Sequence, residues 1–266
     1  MYQSKIIVLN KPPQMPNEQK HVLETKLKVL MVIPSYFPLV GGAEKQVAGL
    51  VNALGKMSCK STIVTRLLPN TLKAEEVDGI SIVRLKKTKY KYGFLLRLFY
   101  FILKNRNFFD VIHVHTLNSP AFISALSGRL IHTPVIVKVT RSGMGSQLSQ
   151  LHSTKIGRLF FYSLSKLVTR FIAITDDVEK ELLSLKVEKN KIVKIPNGVK
   201  LPIFKNFKKN PETACVFVYV GRLIARKRVD WLIRAFSKSN LSSNNRLVII
   251  GNGNEMDNLK KLSRYL

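Results

Sequence analysis

The chain is poor in cysteine and in acidic residues. Its two cysteines, Cys59 and Cys215, stand far apart in 266 residues and form no C-x-x-C or Cys/His pattern. Neither a disulfide framework nor a cysteine zinc site is therefore indicated. Asp and Glu number only 16 against 44 Lys and Arg, which gives a formal net charge of +28. An excess of this size predicts an anionic partner, such as nucleic acid, an acidic membrane surface or a phosphorylated substrate.

Long apolar runs are also lacking. No stretch reaches the roughly 18 to 20 apolar residues that a membrane-spanning helix needs. The nearest approach, "YGFLLRLFYFIL" at residues 92–103, is short and contains Arg97. Two interpretations of it stay open: a core-facing helix with an exposed basic side, or an interfacial helix that touches anionic lipid. Residues 1–26 contain a proline pair and many polar residues, so we expect a loosely ordered leader rather than a signal peptide.

What the chain has in abundance is alternation of strand-like and helix-like segments. Hydrophobic residues make up 45% of the sequence, enough for one large domain or two smaller ones. From Leu27 onward, apolar runs such as "LKVLMVIP" alternate with segments of helical spacing such as "AEKQVAGLVNALGKM". The pattern predicts an α/β domain over residues 27–199, a doubly wound parallel sheet with helices on both faces.

A change of composition follows at residues 200–213, "KLPIFKNFKKNPET", which is rich in lysine, proline and asparagine. We interpret it as an interdomain linker. A second alternation occupies residues 214–266, with two predicted strands and two predicted helices. Because that is too little to close a doubly wound sheet, we expect the second domain to be truncated, or to be completed by a partner chain.

Candidate ligand-binding residues fall in loops at the carboxyl ends of predicted strands, where doubly wound sheets bind their ligands. Gly41 and Gly42 in "VGGAE" would let the backbone approach a ligand, although a plain structural turn is equally compatible. His115 ends the strand "DVIHVHT" and faces the same side as His113. It could meet a substrate hydroxyl or a leaving group, or it could be a buried histidine satisfied by backbone groups.

The stretch "VFVYVGRLIARKRVDWLIRAF" places positive charge between a strand and a helix. Arg222 follows the glycine at the strand end, and Lys227 lies near the start of the next helix. Both charges can converge where the helix dipole already favours an anion, and a diphosphate fits that arrangement. The alternative is a solvated basic turn. Gly251 and Gly253 in "VIIGNGNE" follow another strand and are a weaker signal.

Taken together, these segments resemble the family 4 glycosyltransferases of the GT-B fold from about Leu27 to the end of the chain. The motifs that carry the resemblance are "GGAEKQV" (41–47), "DVIHVHT" (110–116), "IAITDDVEKEL", "KIPNGV" (194–199), "VGRLIARKRVDWLIRAF" and "LVIIGNGNE". The resemblance implies two Rossmann-like domains, the N-terminal one for the acceptor and the C-terminal one mainly for a nucleotide sugar. It also implies a hexosyl-type transfer with retention of configuration and without a metal or other cofactor.

The same resemblance assigns roles to the candidate residues. Arg222 and Lys227 would bind the donor diphosphate and stabilise the leaving group. Gly42 would bring backbone N–H to the phosphate, with Gly41 beside it, and His115 would lie beside the transferred sugar. The remaining two glycines of the candidate set, Gly251 and Gly253, would border the nucleoside.

One departure from the family pattern concerns the end of the chain. Family members carry two glutamates separated by seven residues later in the second domain, whereas here Glu255 stands alone and too early. We expect a glycosyltransferase that moves a sugar from a nucleotide diphosphate to a glycan or lipid-linked acceptor in cell-surface polysaccharide or glycolipid assembly. Its expected location is the cytoplasm, at the inner face of the plasma membrane. An inactive or partner-dependent fragment and a basic nucleic-acid-binding protein remain alternatives.

Overall fold

The chain divides into two units, residues Met1–Lys200 and Leu201–Leu266. This computed structural model describes residues 27–86, 93–143, 145–199, 215–239 and 245–265. The expected leader at 1–26 lies outside the described residues, and so does the expected linker at 200–213.

An eight-stranded sheet forms the centre of the first unit, with strand order β3-β4-β2-β1-β5-β6-β7-β8. Neighbouring strands are parallel except for β3, which pairs antiparallel with β4 at the edge. The chain fills the sheet outward from β1 and then restarts at β5 on its other side, so the switch point of the topology lies between β1 and β5. The strands are β1 Lys28–Val32, β2 Lys60–Arg66, β3 Ala74–Val77, β4 Ile80–Leu85, β5 Val111–Val114, β6 Val135–Val139, β7 Arg170–Ala173 and β8 Ile192–Lys194.

Helices cover both faces of this sheet, which confirms the predicted doubly wound arrangement of the first unit. The helices are α1 Gly42–Lys56, α2 Gly93–Lys104, α3 Ser119–Leu130, α4 Gln147–His152, α5 Lys155–Leu167 and α6 Asp176–Ser184. On one face, Val47 and Val51 of α1 pack in a cluster with Met31 and Ile63. The other face carries the larger core, to which α2, α3, α5 and α6 contribute.

Local sequence explains where the helices begin. The hydroxyl of Thr154 accepts a hydrogen bond from the N–H of Gly157, and Thr175 caps α6 in the same way. Such caps satisfy backbone donors that a helix start leaves free. The first turn of α6 adds Asp176, Asp177 and Glu179, whose charges suit the positive end of the helix dipole.

The second unit has a smaller core on one side of a two-stranded sheet. Its parallel strands are β9 Val216–Val220 and β10 Arg246–Ile250, and its helices are α7 Val229–Ser237 and α8 Met256–Tyr265. The helices bury Leu223, Val229, Ile233 and Leu259. On the opposite sheet face five branched side chains are 39–72% exposed, namely Val216, Val218, Val220, Val248 and Ile250.

Two elements of the first unit were not predicted, and each is short and polar. Strand β3 has the sequence AEEV and α4 has six residues, so neither shows an apolar periodicity. Strand β3 is held instead by Arg84 of β4, whose guanidinium is buried and pairs with Glu75 at 2.5 Å. The same side chain donates to the carbonyl oxygens of Leu72 and Phe37 at 3.2 and 3.0 Å.

Helix α2 contains the apolar run singled out in the sequence. Phe94, Leu98 and Ile102 are buried in the larger core, which confirms a core-facing helix. Leu96 and Tyr100, however, point outward. In the described part of the chain, no helix has the length and apolar character needed to cross a membrane.

Candidate active site

Two of the resemblance motifs lie together at the carboxyl edge of the first unit's sheet. The hydroxyl of Ser35, just after β1, donates to Glu44 Oε1 at 2.8 Å. Two residues further along α1, Gln46 Nε2 donates to the carbonyl oxygen of Gly198 at 2.9 Å. The "GGAEKQV" and "KIPNGV" segments, about 150 residues apart in sequence, are therefore joined directly.

Gly41 and Gly42 begin α1 at this edge. Gly41 is the N-cap in an extended conformation, and its carbonyl oxygen accepts from the N–H of Lys45 at 3.1 Å. A side chain on Gly41 would collide with the Glu44 carboxylate, whereas the space around Gly42 is open. The N-terminus of this 15-residue helix is thus accessible, and its free N–H groups and dipole favour an anion.

His113 and His115 lie on one face of β5, as the alternation of the strand predicted. Their rings are stacked with centroids 4.2 Å apart. His115 is only 2% exposed, and its Nε2 lies 3.4 Å from the sulfur of Met31. Lys138, from the neighbouring strand β6, is buried on the same side of the sheet. Three basic groups thus share one desolvated region.

Desolvation keeps these groups from carrying charge easily. Burial lowers the pKa of His113 to about 4, and the charge of Lys138 adds to the effect. Burial also lowers the pKa of His115 well below its ordinary value, with His113 and Lys138 contributing. Both imidazoles are therefore neutral at pH 7, so each can donate one hydrogen bond and accept another. The Nε2 atom of His113 has no hydrogen-bond partner among the described residues.

Sequence reasoning missed the loop between β6 and α4, which lies at the same carboxyl edge. Gly143 and Gly145 adopt φ values of 77° and 75°, the left-handed region that favours glycine. Glu181 of α6 fixes this loop, because its carboxylate accepts from the N–H of Gly143 at 3.1 Å and from the hydroxyl of Ser146 at 3.3 Å. The glycine pair after the strand "TPVIVKVT" was the available signal.

In the second unit, the two predicted site loops lie side by side at the carboxyl ends of β9 and β10. The N–H of Leu223 donates to the carbonyl oxygen of Asn252 at 2.9 Å, and the N–H of Glu255 donates to Leu223 at 3.0 Å. A side chain on Gly251 would collide with the backbone of Gly221, and one on Gly253 with that of Leu223. Both glycines are therefore required for loop packing, whether or not they border a ligand.

The four cations between β9 and α7 separate into two kinds. Arg228 adopts a left-handed conformation with φ 50°, pairs with Asp230 at 3.3 Å and lies over the Trp231 ring at 4.1 Å. The other three side chains are exposed and form no ion pair with the described residues: Arg222, Arg226 and Lys227. Lys227 ends a short 3-10 turn, two residues before α7 begins.

A small cleft adjoins this turn. It has a volume of ≈ 170 Å³ and is lined by Ile224, Arg228, Asp230 and Glu255, among others. That volume suits a single small group and is below the size of a typical ligand pocket. The exposed cations lie outside it, so they can meet an anion that remains partly in solvent.

Comparison with known proteins identifies the family of residues 40–266. Residues 40–201 match the family described as Glycosyltransferase Family 4, and residues 202–266 match Glycosyl transferases group 1. The chain belongs to glycosyltransferase family 4. The boundary between the two matches falls next to the division between the two units.

Relatives of this family 4 member are distant in sequence. One of the subunits of phosphatidylinositol N-acetylglucosaminyltransferase from Arabidopsis thaliana is 27% identical over 240 residues, 86% of this chain and 53% of the relative. An uncharacterized glycosyltransferase of Methanocaldococcus jannaschii is 23% identical over 274 residues, 90% of this chain and 67% of the relative. The chain thus spans about half to two thirds of the length of these relatives.

Solved structures share the GT-B fold of the chain. The lipopolysaccharide outer core galactosyltransferase WaaB, in its apo form, superposes with a TM-score of 0.64 at 15% identity. HepE of Anabaena, in complex with UDP and glucose, superposes with a TM-score of 0.62 at 15% identity. Each match covers 90% of this chain and 65% of the other.

Proposed function

We propose that this chain is a retaining glycosyltransferase that transfers a sugar from a nucleotide diphosphate donor to a glycan or lipid-linked acceptor. The observation that carries the proposal is the set of three exposed cations Arg222, Arg226 and Lys227 at the carboxyl end of β9. Membership of family 4 and the likeness to HepE, which was solved with UDP and glucose, support it. The transfer requires no metal in this proposal.

The cations would act on the diphosphate of the donor. Arg222 offers a planar fork that can hold two phosphate oxygens, and Lys227 offers a point charge just before α7. When the bond between sugar and phosphate breaks, negative charge accumulates on the leaving oxygen. Fixed positive groups stabilise that charge more than they stabilise the ground state, and this lowers the barrier.

The remaining candidate residues of both units would bind the other parts of the donor. The N–H groups at Gly42 would donate to a phosphate oxygen, since the helix start is open there. His115, held neutral by burial, would hydrogen-bond a hydroxyl of the transferred sugar through a ring nitrogen. Gly251 and Gly253 would let the nucleoside approach the backbone of the second unit.

The proposed setting is cell-surface polysaccharide or glycolipid assembly at the cytoplasmic face of the plasma membrane. The names of two similar proteins refer to a lipid. One is a lipopolysaccharide outer core galactosyltransferase, and the other is a subunit of phosphatidylinositol N-acetylglucosaminyltransferase. A net charge of +28 is compatible with a peripheral position on anionic lipid.

The test is donor binding by the 266-residue chain. Saturation-transfer NMR with a panel of nucleotide diphosphate sugars identifies a donor, and calorimetry gives its Kd. In Arg222→Ala/Lys227→Ala we expect binding weakened by about 100-fold or more, because two charge-assisted contacts are lost. The matched control, Lys238→Ala/Arg246→Ala, removes the same charge from exposed positions that lie away from these loops and should bind as the wild type does.

Two results would contradict the proposal. Equal binding by the double variant and the wild type would remove the diphosphate role from Arg222 and Lys227. Absence of donor binding by a folded wild-type chain would favour an inactive or partner-dependent fragment. A turnover assay with the identified donor then distinguishes a binding chain from a catalytic one.

A further inference from the structure

The outward sides of α2 and α5 carry large apolar side chains that the core does not use. Leu96 and Tyr100 of α2 are 70% and 64% exposed. On α5, Ile156, Leu159 and Tyr162 are 83%, 67% and 61% exposed. We call these five residues the α2–α5 surface. Helix α3 packs against both α2 and α5 and thus lies between them, with Phe122 of α3 5.1 Å from Phe160 of α5.

Packing of the first unit does not explain this surface. The inward sides of the two helices already supply Phe94, Leu98 and Ile102 from α2, and Phe161 and Leu164 from α5, to the larger core. A helix of a globular unit needs only that one apolar side. A second apolar side, exposed on two neighbouring helices, is typical of an interaction surface.

The charge around the surface identifies its partner. Helices α2, α3 and α5 contain six Lys and Arg residues and no Asp or Glu. By contrast, α6 contributes to the same core and contains four acidic residues and one lysine. Positive charge is thus concentrated where the exposed apolar residues are. The six are Arg97, Lys104, Arg129, Lys155, Arg158 and Lys166.

The same pairing of tyrosine and lysine occurs on both helices. Lys104 Nζ lies 5.9 Å from the centre of the Tyr100 ring, and Lys166 Nζ lies 5.6 Å from that of Tyr162. Tyrosine rings and long basic side chains both have an apolar body and a polar end, and they are favoured at the boundary between hydrocarbon and water. A groove of ≈ 640 Å³ beside α2 is lined by Lys73, Lys86, Arg97 and Lys104 and can receive a phosphate group.

We propose that the α2–α5 surface docks the first unit onto an anionic lipid bilayer. The inference rests on the peripheral location in the proposed function and names the surface responsible for it. A nucleic acid would engage the cations but leave five outward apolar side chains without partners. A bilayer interface accommodates both, because helices lying in its plane insert apolar side chains while lysine and arginine meet lipid phosphates.

The direction of α2 and α5 relates the docked surface to the candidate site. Both α2 and α5 run back from the carboxyl edge of the sheet toward the amino ends of β5 and β7. Their first turns, with Leu96 and Ile156, therefore begin on the side of the candidate site loops. A lipid-linked acceptor held in the bilayer would then meet the first unit beside the edge that carries the candidate site loops.

Co-sedimentation with vesicles tests the inference without any sugar donor. The full chain should bind vesicles of phosphatidylcholine mixed with phosphatidylglycerol, and bind much less to phosphatidylcholine alone. Leu96→Ser/Tyr100→Ser and, separately, Leu159→Ser/Tyr162→Ser should each weaken binding about tenfold. Arg97→Glu/Lys104→Glu should weaken it similarly and reduce its dependence on salt. The control Met57→Ser/Tyr265→Ser changes exposed apolar residues outside both helices and should bind like the wild type.

Wild-type binding that ignores phosphatidylglycerol, or equal binding by the surface variants and the control, would overturn the inference. Circular dichroism should show the wild-type thermal transition in all variants, since the changed side chains are exposed. Donor binding that depends on Arg222 and Lys227 should persist in the surface variants. A wild-type chain that binds the donor but not the vesicles therefore contradicts the docking surface alone, and one that binds the vesicles but no donor contradicts the proposed function alone.

Discussion

Both units of the chain are built from strands, loops and helices in alternation. They differ in how deeply the carboxyl ends of their strands are buried. In the first unit eight strands have helices on both faces, and His115 and Lys138 at the carboxyl edge are buried. In the second unit two strands have helices on one face, and Arg222 and Lys227 at the carboxyl edge are exposed. Depth therefore determines the chemistry: burial lowers the pKa of the basic groups at the first unit's edge, whereas the cations at the second unit's edge stay in contact with solvent.

The largest expected difference between the units concerns their cores. Leu164→Ala in the first unit should lower the free energy of unfolding by about 3 to 5 kcal/mol, because the fully buried side chain leaves a cavity. Ile233→Ala in the second unit should cost about 1 to 2 kcal/mol, because its small core can collapse around the change.

The chain has a single tryptophan, Trp231, in the second unit. Its fluorescence in a urea titration follows that unit, while far-UV circular dichroism mostly follows the first unit. If Leu164→Ala, followed by circular dichroism, and Ile233→Ala, followed by fluorescence, lost the same free energy of unfolding, the expected difference between the two cores would be wrong.

Acid should destabilise the first unit through its buried histidines. The folded pKa of His113 is about 4, below the ordinary 6.5, so the unfolded chain binds a proton more readily. Stability is therefore complete above about pH 6.5 and falls as the pH drops toward 4, by about 3 kcal/mol from this group. His115 acts in the same direction.

Urea titrations at pH 7, 5.5 and 4 measure this effect, with His113→Gln as the matched variant. The variant should lose less stability than the wild type over this range in the circular dichroism signal. The sequence places no histidine beyond His152, so the tryptophan signal should lack this histidine-dependent loss. If acid reduced stability by the same histidine-dependent amount in the circular dichroism and the tryptophan signals, the effect could not be assigned to the first unit.

A glycine substitution tests the close packing of the second unit's two loops. Gly253→Ala should destabilise that unit by about 1 to 3 kcal/mol, because the new side chain meets the backbone of Leu223. It should also weaken donor binding, since it separates the loop that carries Arg222 from its neighbour. The control is Gly49→Ala in α1, where open space surrounds the position and helix propensity predicts a slight gain. A neutral Gly253→Ala would show that the two loops do not need their close contact.

The smallest effect is expected at an exposed ion pair of the first unit. Lys194 and Asp176 lie 2.5 Å apart on the surface, and the hydrogen bond between them raises the pKa of Lys194. Solvent screens such pairs, so Lys194→Ala should leave the thermal midpoint unchanged within error. A clear shift in scanning calorimetry would mean that this surface contributes more than its exposure suggests.

Sequence patterns predicted the regular elements of both units well, because apolar periodicity decides them. The strand and helix around His115 and the helix at 229–237 all appear in the structure. Apolar periodicity could not predict the edge strand β3, because its sequence AEEV does not alternate. The available signal was the Asp-Gly turn at Asp78 and Gly79, which joins β3 to β4 in a hairpin. The shared face of His113 and His115 follows from strand alternation, but their burial depends on α1 and on neighbouring strands.

In the second unit too, the sequence did not reveal the tertiary contacts of the basic cluster. The sequence places four cations together, yet only the structure separates Arg228 from the rest, through its left-handed backbone and its contact with Trp231. Likewise, Gly251 and Gly253 were predicted as ligand-bordering residues, and their close packing against another loop depends on tertiary structure. Their ligand role stays a prediction.

The uncovered face of the two-stranded sheet also governs how the protein behaves in concentrated solution. Five exposed valine and isoleucine side chains favour adhesion between copies, while a net charge of +28 keeps copies apart. At about 0.1 M salt this repulsion extends only about 10 Å. Colloidal stability is therefore electrostatic in dilute buffer and fails as salt is added, so the purified protein should precipitate at high ionic strength and redissolve on dialysis.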